Sequence, residues 1–216
     1  MGRVRQSKRK DKMLQDKKCR QCRREGEKLF LKGTRCHSPK CPIEKKGAVP
    51  PGDHGLYSGR RLSEYGQQLR EKQKLKRTFG VNEKQLKNYL QQAEQEDGNT
   101  SELLIRYLET RLDNVLYRLG LVPSRATAKQ LINHGHVLVN GQKLTASSYQ
   151  VQLDDEIQLG GKAQEMTKIK EWLEREGKTA QWLQRKGFIG KVKRQPEREE
   201  MVTNIDESLI IEYYSR

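Results

Sequence analysis

Between Leu103 and Gly141 the apolar residues of this chain change period, and few architectures accept both halves. Leu103, Leu104, Tyr107, Leu108, Leu112, Val115, Leu116 and Leu119 recur at helical spacing, the pattern of an amphipathic stripe. Thr100 or Ser101 opens this stretch, Gly120 closes it, and a break is expected near Thr110. Ser124 then caps a short helix, Arg125 to His134, stopped by Gly135. Immediately afterwards His136-Val137-Leu138-Val139 runs into Asn140-Gly141, the strongest short-range hairpin signal. Further strands are expected at Tyr149–Leu153 and Glu156–Leu159, joined through Asp154-Asp155. A stripe, a short capped helix and a hairpin in that order require an α+β fold.

The flanks are mostly helical. Ser63 caps a segment through Phe79 that Gly80 ends, and Asn82 with Gln85 forms a capping box ahead of Leu86, Tyr89, Leu90 and Ala93. A last helix is expected around Met166–Arg175, followed by a basic, irregular stretch and a closing apolar run at Leu209-Ile210-Ile211. Residues 47–60 are Gly/Pro-rich and break regular structure. No internal repeat is present.

Charge is distributed as unevenly as period. Lys and Arg outnumber Asp and Glu by 44 to 28, a net of +16. Residues 1–80 hold 24 of these cations against 8 acids, and residues 81–216 hold 20 of each, so the whole excess sits on the first third. An excess of this size needs a polyanion, nucleic acid first and an anionic membrane surface second. No apolar run approaches the roughly 20 residues that cross a bilayer. The basic start leads into no apolar segment, so no membrane role and a cytoplasmic location are expected.

All four cysteines fall in Cys19-x2-Cys22 and Cys36-x4-Cys41, separated by thirteen residues. Two close pairs joined by a flexible connector complete a four-thiolate site, the donor set of one structural Zn2+; an iron–sulfur cluster uses the same ligands. His37 is an alternative to Cys36. Cationic neighbours such as Lys18, Arg20, Arg35 and Lys40 favour thiolate. This segment offers only Leu29, Phe30 and Leu31 as a core, so the metal is expected to fold it.

The module from Arg106 to Lys143 carries six Lys and Arg against Glu109 and Asp113. Arg125 and Lys129, four apart, share one helix face, a local patch suited to a folded RNA backbone. The run Arg111-Leu112-Asp113-Asn114-Val115-Leu116-Tyr117-Arg118-Leu119-Gly120, continued through Ser124-Arg125 to Asn140-Gly141, resembles the S-four-type RNA-binding module. The resemblance extends to Cys22-Arg23-Arg24-Glu25-Gly26, Leu31–Cys36, Pro50–Gly55, Leu69–Leu75 and the ending Glu212–Arg216. With these the chain resembles the zinc-bearing bacterial form of the S-four family of small-subunit ribosomal proteins.

That resemblance implies a non-enzymatic constituent of the small ribosomal subunit. It implies binding to the five-prime domain of 16S-type ribosomal RNA early in assembly. It also implies contact with the small-subunit protein numbered five, with number three a further neighbour, and a share in the messenger entry channel and decoding accuracy. No small-molecule substrate is expected. Residues 1–101, with the tail 196–216 packed on them, are expected to form an RNA-binding region with the metal knuckle, and residues 102–195 the module. Expected RNA contacts are Arg3, Arg5, Lys8 and Arg9 in the arm, and Arg20, Arg23, Arg24, Lys32, Arg35 and Lys40 about the cysteines. His54, Arg60 and Arg61 follow in the loop, then Arg70, Lys72 and Lys74 on the first long helix. In the module they are Arg111, Arg118, Ser124, Arg125, Lys129, Gln130, His134, His136, Asn140 and Lys143.

Two rivals use some of the same features. An RNA-modifying enzyme or a tyrosyl-tRNA synthetase can append this module, and Arg111-Leu112-Asp113 echoes a pseudouridine synthase aspartate. Here Asp113 falls in an amphipathic helix and no catalytic domain remains, so it reads as a surface or salt-bridging residue. A zinc-dependent DNA regulator would need a recognition helix in register after the cysteines, and none follows.

Overall fold

The computed structural model describes residues 18–55, 62–174, 179–201 and 204–215. Residues 18–25 form α1. A 3-10 turn at Gly33–His37 and α2 at Pro42–Lys46 complete the cysteine region. The helices α3 (Glu64–Phe79), α4 (Glu83–Gln95) and α5 (Thr100–Glu109) follow. Then come α6 (Leu112–Arg118), α7 (Arg125–Asn133), β1 (Val137–Val139), β2 (Gln142–Lys143) and β3 (Glu156–Leu159). The chain continues with α8 (Gly161–Gln164), α9 (Thr167–Leu173), β4 (Leu183–Lys186), β5 (Ile189–Val192) and α10 (Glu207–Tyr214).

The predicted caps set the helix starts. Ser63 Oγ accepts from the Gly66 amide at 3.2 Å, Asn82 and Gln85 exchange both bonds of a capping box, and Ser124 Oγ accepts from the Thr127 amide at 3.2 Å. Gly80 takes a left-handed φ of 64° where α3 stops, a position that favours glycine. The stripe breaks at Thr110–Arg111 as expected, but its cap is Asn99, whose side chain accepts from the Ser101 amide. Its Asp97-Gly98-Asn99 turn hid that cap.

Two apolar clusters form. One joins α3, α4, α5 and α10 through Leu75, Phe79, Leu86, Leu104, Leu108, Met201, Ile205 and Ile210. The other joins α6, α7 and the sheet through Leu112, Val115, Leu116, Leu119, Ile132, Val137, Ile157 and Trp182. The sheet is antiparallel throughout, in the order β2-β1-β3-β5-β4. Asn140 and Gly141 both have positive φ, 51° and 78°, the conformation of the expected tight hairpin turn.

Two expectations about strands are corrected. Tyr149–Leu153 is not a sheet strand. It runs beside the break between α5 and α6, where Leu112 donates to the Tyr149 carbonyl and Val151 to that of Thr110, both at 2.9 Å. The interrupted helix leaves backbone groups unpaired, and this segment satisfies them. The basic stretch after α9, read as irregular, contains the β4–β5 hairpin. Its inward positions are Leu183, Gly190 and Val192. A Cβ at Gly190 would lie 2.4 Å from Leu119 Cδ1, so glycine occupies the place of an apolar residue and masks the alternation.

Candidate nucleic-acid interface

A cleft of about 520 Å³ opens between α1, the end of α3 and the start of α7. Lys18 and Gln21 of α1 with Leu29, Phe30 and Leu31 form one wall; Gln73, Lys76, Arg77, Thr78 and Phe79 form the second; Arg125, Ala126 and Lys129 form the third. Two of its cations are spoken for. Lys76 donates to Glu83 at 2.8 Å, and Arg77 pairs with the buried carboxylate of Glu25. Asp113, the one acid on the wall, is itself held by Arg111. Lys18, Arg125 and Lys129 form no ion pair with a described residue, so the cleft keeps a net positive charge. Burial pulls the Lys18 ammonium below the ordinary lysine range, Lys32 adds to that, and Cys36 opposes it.

The structure sorts the residues expected at RNA into three groups. Arg20, Arg24, Arg35, Lys40, His54, Gln130, His134 and Lys143 are exposed, and Lys32 and His136 are half-buried. His134 and His136 lie 6.2 Å apart at the far end of α7, where Lys143 crosses Gly135. Arg125 and Lys129, predicted to share a face, both line the cleft.

A second group is half-buried and engaged inside the protein. Arg23 donates to the carbonyls of Val49 and Pro50, Arg70 pairs with Glu25, Lys74 with Glu27 and Glu71, and Arg118 with Glu109. The third group is engaged within the protein, and its two buried cations, Arg111 and Lys72, correct the expectation. Arg111 is fully buried, donating to both Asp113 oxygens at 3.0 and 2.8 Å and to the Tyr89 hydroxyl at 2.7 Å. Burial opposes its charge, but the Asp113 bonds outweigh that and raise its pKa. Asp113 is thus a salt-bridging residue, inside rather than on the surface. Lys72 is buried at 4% exposure against Glu83 and the Tyr213 ring. Ser124 is consumed as a cap. Asn140 bonds Asp155 and the Glu156 amide. Arg3, Arg5, Lys8, Arg9, Arg60 and Arg61 lie outside the described residues.

Sequence reasoning missed Lys18, Lys76 and Arg77. The dibasic end of α3, just before Phe79-Gly80, was the available signal. It also missed the rings beneath Arg125, whose guanidinium carbon lies 4.9 Å from the Phe79 centroid and 4.5 Å from that of Tyr117.

The four cysteines are free thiols, three of them buried, and all four line one cavity of about 10 Å³, close to the room one water needs. The Lys32 amide donates to Cys36 Sγ at 3.3 Å. Burial raises Cys22 and Cys36 above the ordinary thiol range and the neighbouring cysteines add to it, against backbone hydrogen bonds from Leu29 to Cys22 and from Lys32 to Cys36. Among the described residues no group of three or more His, Cys, Asp or Glu side chains is arranged to hold a metal ion. The donor set is of the type that suits a thiophilic metal, four cysteines with no disulfide between them lining the same small cavity. His37 lines no part of that cavity; it is exposed and stacks on Phe30 at 5.1 Å.

A helix–hairpin module bearing a cationic cleft defines an RNA-binding protein of the S4-domain class, and an S4 domain model matches residues 110–157. The Ribosomal protein S4/S9 N-terminal domain matches residues 13–109. The chain is 48% identical over 202 residues to small ribosomal subunit protein uS4 of Natranaerobius thermophilus, covering 92% of this chain and 96% of that one. It is 46% identical, with the same coverage, to uS4 of Thermus thermophilus. Against uS4A of Clostridium botulinum it is 48% identical over 200 residues, again covering 92% of this chain and 96% of the relative. This chain belongs to the uS4 family of small ribosomal subunit proteins, a structural family and not an enzyme family. No helix among the described residues is long and apolar enough to cross a membrane.

Proposed function

We propose that this chain is a structural constituent of the small ribosomal subunit that binds the five-prime domain of 16S-type ribosomal RNA early in assembly. One observation carries the reading. Lys18, Arg125 and Lys129, drawn from three parts of the sequence, converge uncompensated on a single cleft in a chain of the uS4 family. Phosphate contacts of this kind fix register and orientation, while folded RNA is recognised largely by shape. Contact with the neighbouring proteins numbered five and three, and with messenger at its entry, follows from the family resemblance and belongs to the same reading. Filter binding of the full chain tests it: a five-prime-domain fragment should bind at physiological salt in preference to an equally long three-prime-domain fragment. Equal affinity for the two would refute it.

The same reading places one structural zinc ion on Cys19, Cys22, Cys36 and Cys41. Bound there, zinc would neutralise four thiolates and tie α1 to α2. The shared cavity and the shortage of apolar residues in this segment support it. The Lys32 amide bond to Cys36 is the kind of outer contact that orients a ligand. Metal analysis of protein purified without chelator should find close to one zinc per chain, and chelation should loosen residues 18–47 in hydrogen exchange. Absence of both metal and effect would refute this part; about two or four irons per chain together with inorganic sulfide would replace zinc by a cluster.

A further inference from the structure

Arg125 differs from the other cations of the cleft in how its nitrogens are assigned. Its Nε donates to Asn114 Oδ1 at 2.6 Å. Asn114 is fully buried, and its Nδ2 donates to the Glu109 carbonyl at 2.8 Å and to Glu109 Oε2 at 2.6 Å. Glu109 is also fully buried, and Arg118 donates to both its oxygens. This fixes the Asn114 amide, because a flipped amide would set its oxygen against the Glu109 carboxylate and its NH2 against the guanidinium. The Nε edge of Arg125 is therefore turned inward and held.

The Nη nitrogens are placed differently. Neither has an acceptor among the described residues, and neither is sealed from the outside. The side chain lines both the 520 Å³ cleft and an adjoining 290 Å³ pocket with Lys28, Phe30, Thr78, Tyr117 and Arg118. Burial depresses the pKa of Arg125, with Glu109 opposing, yet an arginine stays charged in a protein. A charged planar fork with one edge anchored and two donors unspent complements the two non-bridging oxygens of a phosphodiester.

We propose that Arg125 is a two-pronged phosphodiester anchor and that Asn114 and Glu109 are positioning residues that aim it. This rests on the reading of the cleft as an RNA surface. A double-mutant cycle on the full chain, with the five-prime-domain RNA fragment as probe, tests it. Arg125→Met should weaken binding by about tenfold to a hundredfold, the range of one bidentate contact. It should also lower the slope of log affinity against log salt by about one. Asn114→Ala should cost about tenfold alone but less than about twofold in the Arg125→Met background, because the two act through one contact.

Additive losses would reduce Asn114 to a structural residue and overturn the aiming. Lost affinity with an unchanged slope would assign the fork to a base edge and overturn the phosphate. Wild-type protein with no salt-dependent binding would instead remove the RNA reading beneath it. Should Asn114→Ala not fold, Arg125→Lys carries the test. Keeping the charge without the fork, it should lose nearly as much affinity as Arg125→Met while retaining the slope, and wild-type affinity would overturn the proposal.

Discussion

At Glu83 three donors from two other helices converge: Lys72 and Lys76 of α3 at 2.8 Å and the Tyr214 hydroxyl of α10 at 2.6 Å. Burial pushes the carboxyl up, but the three bonds outweigh it and hold the pKa at about 2. The folded value lies below the unfolded value of about 4.3, so this contribution is present above that pH and is lost as pH falls toward 2. Urea unfolding should show Glu83→Gln less stable at neutral pH, with the gap to wild type closing between about pH 4 and pH 2. A constant gap would assign the loss to packing. Gly33 makes a second prediction. It has a φ of 62°, and a Cβ there would lie 2.7 Å from Pro123 Cβ and 2.9 Å from the Pro123 carbonyl oxygen. Gly33→Ala should therefore destabilise by about 1–3 kcal/mol in the same assay. At this scale the sequence shows which residues carry charge but not which charges are spent. Arg111 and Arg125 share one motif, yet Tyr89 and Asp113 absorb the first. Only the second keeps donors for a ligand, and its supporting rings come from Phe79 and Tyr117.

Elements were legible where their signals are local. The caps at Ser63, Asn82 and Ser124 and the turn at Asn140-Gly141 each work within three or four residues, and each helix or hairpin begins where they stand. The β4–β5 hairpin was not legible, because Gly190 faces inward only on account of Leu119, far back in α6's C-terminal turn. Gly190→Val should push Leu119 from the core and cost about 1–3 kcal/mol, readable as a lowered melting temperature. The cap on α7 is a milder test. Ser124→Ala removes the acceptor of the Thr127 amide and should cost about 1 kcal/mol. It should also weaken RNA binding, because α7 carries Arg125 and Lys129 into the cleft; full affinity in a destabilised variant would show that cleft and helix are uncoupled.

Across the whole molecule the helical cluster and the module are tied by side-chain contacts as well as by the chain itself. Arg111 of the module reaches Tyr89 of the helical cluster, Arg125 lies over Phe79, and the 3-10 turn at Gly33 abuts Pro123. Each wall of the cleft thus belongs to a different part of the chain, which is why the sequence showed its cations as scattered runs. The excess charge counted in the first third becomes a site only where α1 and α3 meet α7. The proposed grip of Lys18, Arg125 and Lys129 on RNA phosphates forms at this junction of α1, α3 and α7. Its most direct test is affinity for the five-prime-domain RNA fragment measured across a salt series, for wild type and for the combined Lys18→Glu, Arg125→Glu, Lys129→Glu variant. Wild-type affinity should fall by about 10³-fold or more between low and moderately high salt, and the variant should bind far more weakly with a slope shallower by about two to three. A variant that still folds and matches wild type in both affinity and slope would contradict it.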